Sequence, residues 1–101
     1  MPYVTQISPQ AARQIRGWGL SDPVWMEVLL RLHQTLAQNP PAVLTSLPDF
    51  PRGMLYYFHF PDPERPDFVH EFVFQVVYLA DEQHILVLRG SYWRHADGLA
   101  K

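Results

Sequence analysis

Hydrophobic positions change period once along this chain, from a helical repeat before Asn39 to a strand repeat from Gly53 onward. Tyr3 to Ile7 is a short β candidate. Ser8-Pro9 then supplies an N-cap and a proline at the first helical position, which predicts a helix to about Arg16 that Gly17 can end. Its Ala11, Ala12 and Ile15 face one way, and Arg13 and Arg16 lie toward the other. Asp22-Pro23 repeats the start signal, and Trp25, Val28, Leu29, Leu32 and Leu36 form a buried stripe of a second helix to about Gln38. Asn39-Pro40-Pro41 stops it, so the two helices form an antiparallel hairpin. Ala42 to Leu47 reads as a further helical turn, and Pro48-Asp49-Phe50-Pro51 as a loop.

Three strands follow. Met54 to Phe60 is dense in aromatics, and the three prolines between Pro61 and Asp67 confine that stretch to a hairpin connection. In Phe68 to Leu79, alternation puts Phe68, Phe72, Phe74, Val76 and Tyr78 on one face and Glu71, Val73, Gln75 and Val77 on the other. Ala80-Asp81-Glu82-Gln83 turns the chain, and His84 to Leu88 returns antiparallel. The predicted order is β-α-α-β-β-β: a single two-layer α+β domain over residues 1–101, its N-terminal strand and helix hairpin packed on an antiparallel sheet. The uncovered sheet face then becomes the place to look for chemistry.

Composition narrows the options. An apolar fraction of 48% over 101 residues is that of a globular chain. There is no cysteine, so a disulfide framework, a thiol nucleophile and a thiolate metal site are all excluded. The longest apolar runs fall short of a membrane span, and Met1-Pro2-Tyr3-Val4 lacks the regions of a signal peptide, which gives an expectation of a cytoplasmic protein without a membrane partner. The formal charge of −2 argues against a generic nucleic-acid binder, although Asp62, Glu64 and Asp67, opposed only by Arg65, supply that excess in one loop. Seven of the eight basic residues are arginine, so contacts to phosphate or carboxylate are guanidinium contacts.

The last strand reads as running into Arg89-Gly90-Ser91-Tyr92-Trp93-Arg94-His95, a polar and aromatic segment at the exit of a buried strand. The five histidines His33, His59, His70, His84 and His95 show no ligand spacing, and neither a metal nor another cofactor is expected. His70 falls on the packed-face parity and reads as a strand-end residue. Glu71 with Arg89 or Arg94 reads either as an ion pair across strands or as part of a site. Tyr56 and Tyr57 must put one ring on each face, and Trp18 and Trp25 read as core of the helix hairpin.

The opening strand, Ser8-Pro9, Leu47-Pro48-Asp49, the strand Phe72-Val73-Phe74-Gln75-Val76, and Ile85-Leu86-Val87-Leu88 followed by Tyr92-Trp93-Arg94-His95 together resemble the RelE/ParE superfamily of bacterial toxins. The resemblance covers nearly the whole chain, through order and spacing more than through any single motif. It implies a type II toxin bound by a cognate antitoxin. The resemblance further implies an activity of one of two kinds, that of a RelE-like, metal-independent endoribonuclease on ribosome-bound mRNA or that of a ParE-like gyrase inhibitor. Carried over by position, Arg94 would stabilise charge on a cleaved phosphate, and His95 or Tyr92 would transfer the proton of a 2′-hydroxyl attack. Glu71 stands where RelE-type nucleases carry an arginine, and Tyr56, Tyr57 and His59 stand where lysines are usual. Arg89, Trp93, Tyr57 and His59 complete an RNA-contacting set, with Trp93 suited to stacking a base. The other reading is a non-catalytic α+β module that uses exposed sheet aromatics to bind a protein.

Overall fold

In the computed structural model, residues 3–47 and 50–96 are described. Five strands form one mixed sheet in the order β1-β5-β4-β3-β2, with β1 at Val4–Ile7, β2 at Leu44–Leu47, β3 at Phe50–Pro61, β4 at Phe68–Leu79 and β5 at His84–Ala96. The three long strands are antiparallel as predicted, whereas β1 pairs parallel with β5, from Val4 opposite His84 to Ile7 opposite Val87. The sequence between β1 and β5 contains the helices, which provides the crossover that a parallel pair requires.

Helix α1 (Pro9–Gly17) starts as the sequence predicts: the Ser8 hydroxyl accepts from the Ala11 amide at 3.1 Å and donates to the Leu88 carbonyl at 2.8 Å. The cap of α2 (Asp22–Leu30) is Ser21 rather than Asp22, and its hydroxyl makes no capping bond. Gly19, at φ 64°, makes the left-handed turn between these helices, a conformation glycine adopts without strain. Beyond Leu30 the helix widens into a π-helical segment, Arg31–Thr35, before α3 (Leu36–Gln38). This widening disturbs the regular ladder, and two carbonyls of the segment gain outside donors: Thr5 donates to Leu32 at 2.9 Å and Tyr56 to Arg31 at 3.3 Å.

Two element assignments change. Helix α4 occupies only Pro40–Val43, and the chain from Leu44 is the edge strand β2 rather than more helix, paired with β3 from Leu44 opposite Tyr56. Strand β3 also begins earlier than its alternation indicates, at Phe50, so Phe50 and Pro51 are strand, while Pro48 and Asp49 of the expected loop lie outside the described residues.

The helices cover one face. Val24, Val28, Leu32 and Leu36 lie in the core with Ala11 and Ile15, against Phe72, Phe74, Val76, Ile85 and Val87. Trp25 is only half-buried, and Val24, which the periodicity left aside, takes the deeper place because helix rotation puts it on the row i, i+4, i+8, i+12. Phe58, Phe60, Phe72 and Phe74 stack along the sheet with centroids 5.1 to 6.2 Å apart. Burial of each such ring contributes roughly 1.5–3 kcal/mol, so this aromatic layer supports the open face from beneath.

Candidate functional site

The segment Arg89 to His95 is not an exit from the last strand but its continuation, since β5 runs to Ala96 and stays paired with β4 to Phe68. What the apolar pattern missed is a bulge. Val87 lies opposite Val76 and Arg89 opposite Gln75, leaving Leu88 as the extra residue. Simple alternation from Ile85 and Val87 puts Arg89, Ser91 and Trp93 under the helices. The bulge reverses this, so Gly90, Tyr92 and Arg94 stand opposite Phe74, Phe72 and His70 on the covered face, and Arg89, Ser91 and Trp93 stand opposite Gln75, Val73 and Glu71 on the open one.

Gly90 shows what the covered face demands. A Cβ there would lie 2.7 Å from two ring atoms of Phe74 and 3.0 Å from the Trp18 indole, so only glycine lets the strand approach this layer. The Gly90 amide donates to the Gln14 side-chain oxygen at 2.8 Å, which fixes α1 to the strand beyond the end of β1.

On the open face, cross-strand neighbours gather Tyr57, Glu71 and His95. Tyr57 donates to one oxygen of Glu71 at 2.5 Å, and His95 Nε2 donates to the other at 2.8 Å. A carboxylate only accepts, so Nε2 carries the hydrogen and Nδ1 of a neutral His95 is left unprotonated. The Tyr57 hydrogen bond, reinforced by His95, holds the Glu71 carboxyl below the usual carboxylate range, and the same bond pushes the Tyr57 phenol up. His59 lies opposite Glu71 with its ring 5.9 Å from that of Tyr57. Trp93 is 52% exposed and Tyr57 50%, both presenting flat rings to solvent beside the triad. Tyr57, Glu71, Trp93, Arg94 and His95 border an open cleft of about 510 Å³.

The expected constellation of Arg94, His95, Tyr92 and Glu71 is therefore divided between the two faces. His95 and Glu71 are together, whereas the Tyr92 and Arg94 positions lie on the helix-covered side, because neighbours in a strand point oppositely. The expected pairing of Glu71 with an arginine is replaced by its bonds to Tyr57 and His95, and Arg89 Nε donates instead to the Gln75 side chain at 2.5 Å. Arg94 stacks its guanidinium over Phe68 at 5.0 Å, at the border of the open-face cleft and of a second, helix-side cleft lined by Trp18, Asp62, His70 and Tyr92.

Sequence reasoning missed Asp62 and underrated His70. His70 is 3% exposed, with Nε2 donating to Asp62 at 2.7 Å and Nδ1 2.6 Å from the Tyr92 hydroxyl. The available signal was a histidine on the packed-face parity, eight residues after an aspartate across a hairpin.

Among the described residues, no helix is long and apolar enough to cross a membrane. The sequence matches no protein-family model and no curated protein. Its backbone is similar to a chain of the RelBE2 toxin–antitoxin complex from Mycobacterium tuberculosis, at 13% identity and a TM-score of 0.72, over 92% of this chain and 100% of that one. An N-terminal strand, a helix hairpin and an antiparallel meander that places β5 between β1 and β4 thus give this chain a RelE-like fold.

Proposed function

We propose that this protein is the toxin of a toxin–antitoxin pair and that its open sheet face is an RNA-cleaving site. The observation that carries the reading is the Tyr57–Glu71–His95 triad, an oriented base on the uncovered face of a RelE-like fold. In the proposed reaction, His95 Nδ1 takes the proton of a ribose 2′-hydroxyl while Glu71 holds the imidazole and balances the imidazolium that forms. The 2′-oxygen bonds to the adjacent phosphorus as the bond from phosphorus to the 5′-oxygen breaks. The leaving oxygen takes a proton from water and the His95 imidazolium returns its proton to solvent, so the products are a 2′,3′-cyclic phosphate and a 5′-hydroxyl. No metal is needed for this sequence of steps. Trp93 and Tyr57 would stack the flanking bases, with Arg89 and His59 at the rim.

The formal charge of −2 and a glutamate at the centre of the face favour a second reading, inhibition through binding a protein such as gyrase. Purified protein with ribosomes and mRNA distinguishes the two. Chelator-resistant cleavage ending in cyclic phosphate supports the nuclease, and growth arrest with intact mRNA supports the binder. An antitoxin partner is part of either reading, supported by the complex to which the neighbouring fold belongs and by exposed Met26 and Leu30 on α2. Co-expression with the products of flanking genes should yield a stable co-purifying complex. Failure of every flanking product to bind, together with harmless overexpression, would remove the toxin assignment.

A further inference from the structure

The strand that presents His95 to the open face presents Tyr92 to the other, where it meets groups that the proposed cleavage does not use. Trp18, Ser21, Asp62, His70, Tyr92 and Arg94 line a cleft of about 360 Å³ between the α1–α2 turn and the end of the β3–β4 hairpin. Its volume falls in the range of small-ligand sites.

The hydrogen bonds fix what this cleft offers. Asp62 is fully engaged: one oxygen accepts from the Glu64 and Arg65 amides at 2.8 and 3.0 Å, and the other accepts from His70 Nε2. His70 Nδ1, unprotonated in the neutral ring, must accept from the Tyr92 hydroxyl. Tyr92 has then spent its only proton inward and shows the cleft an acceptor. Beside it stands Arg94, positioned over Phe68 and in no ion pair among the described residues; burial pushes the Tyr92 phenol up, and the Arg94 charge is close enough to oppose that only in part. Ser21 adds a hydroxyl that makes no bond into its helix.

An acceptor next to a cation selects a ligand with a hydroxyl donor next to an anion, and Trp18 adds an aromatic wall. We propose that this helix-side cleft binds a ribonucleotide unit, its phosphate on Arg94 and a ribose hydroxyl donating to Tyr92. The engaged state of Asp62 is what permits the phosphate, since both carboxylate oxygens already have donors. The proposal does not depend on cleavage at the open face, and binding is expected even of a protein without nuclease activity. Because Arg94 borders both clefts, the unit could come from free nucleotide or from an RNA strand that rounds the sheet end.

Titration of the full chain with adenosine 5′-monophosphate, followed by amide and indole NMR shifts, tests the proposal. Shifts at Ser21, Tyr92, Arg94 and the Trp18 indole are expected, with 2′,3′-dideoxyadenosine 5′-monophosphate binding about tenfold more weakly for loss of a hydrogen bond. Tyr92→Phe should abolish that preference, and Arg94→Gln, at an exposed position, should weaken both ligands. A hexaribonucleotide that binds more tightly and extends the shifts to Trp93 and His95 identifies RNA as the source, and one no tighter than the mononucleotide identifies free nucleotide. Equal binding of the two mononucleotides by the wild type, tighter binding of ribose 5-phosphate than of the nucleotide, or shifts confined to Tyr57, Trp93 and His95 would overturn it. These wild-type comparisons stand even if Tyr92→Phe fails to fold.

Discussion

His95 Nε2 and Glu71 Oε1 lie 2.8 Å apart although the two residues are not directly opposite in the sheet: His95 faces Val69 and Glu71 faces Trp93, so the bond runs diagonally between β4 and β5. A diagonal contact of this kind orients the imidazole without being required for strand pairing. Under the proposed cleavage, His95→Ala should lose about 10²- to 10⁴-fold in rate, the usual range for a general base. Glu71→Gln retains size but not charge and should fall between His95→Ala and the wild type. Single-turnover cleavage alongside thermal melting checks this, with melting expected to change little because the triad is solvent-exposed on one side. Loss of activity only in variants that also melt early would reduce the triad to a structural role.

Acid should weaken the fold through Asp62. Its carboxyl is held below the usual range first by the bond from His70 and then by the Glu64 and Arg65 amides. A lowered folded-state value means that the carboxylate form is favoured by folding. The stabilisation is thus present above the unfolded value and lost as pH falls through the folded one. Urea midpoints of the wild type and Asp62→Asn between about pH 6 and about pH 2.5 should converge at the acid end. Curves that stay parallel would show that Asp62 is not linked to folding.

Most of the fold was legible because two periods and two proline-marked helix starts agree with one another. The burial of Phe72, Phe74 and Val76, the Ser8 cap and the opposite fates of Tyr56 and Tyr57 all follow from alternation and capping. The edge strand β2 was not legible, since Ala42 to Leu47 is too short to show a period and its state is set by pairing with β3. The site was half legible for a sharper reason. Leu88 is one more aliphatic residue in an aliphatic run, so nothing local marks it as the bulge that decides which side of the sheet each following residue takes. Glu71 and His95 were singled out, but grouping them with Tyr92 and Arg94 ignored the alternation of the strand itself.

Truncating the centre of the aromatic layer should be costly. Phe72 has no exposure and contacts Trp18, Phe58, Phe60, Phe74 and Tyr92 by ring packing. Phe72→Ala removes these contacts and leaves a cavity, for an expected loss of about 3–5 kcal/mol in chemical denaturation. Phe72→Leu should cost substantially less. Similar losses for the two would mean that the layer relaxes around the gap.

Gly90 offers the most specific test of the bulged register, because its crowding exists only if the strand after Leu88 has turned that residue toward the helices. Gly90→Ala places a methyl 2.7 Å from the Phe74 ring, where a well-packed aromatic flanked by Phe58, Phe72 and Trp18 has little room to move. Overpacking of this kind costs about 1–3 kcal/mol. Without the bulge, Gly90 would face solvent, and alanine would be neutral or mildly stabilising in a strand. A second change separates crowding from any intrinsic effect of losing glycine: Phe74→Leu in the Gly90→Ala background removes the clashing ring atoms. The double variant should therefore be more stable than the sum of the two single losses implies, a coupling read directly from a double-mutant cycle. Additive losses would place the methyl in open space and the register with it.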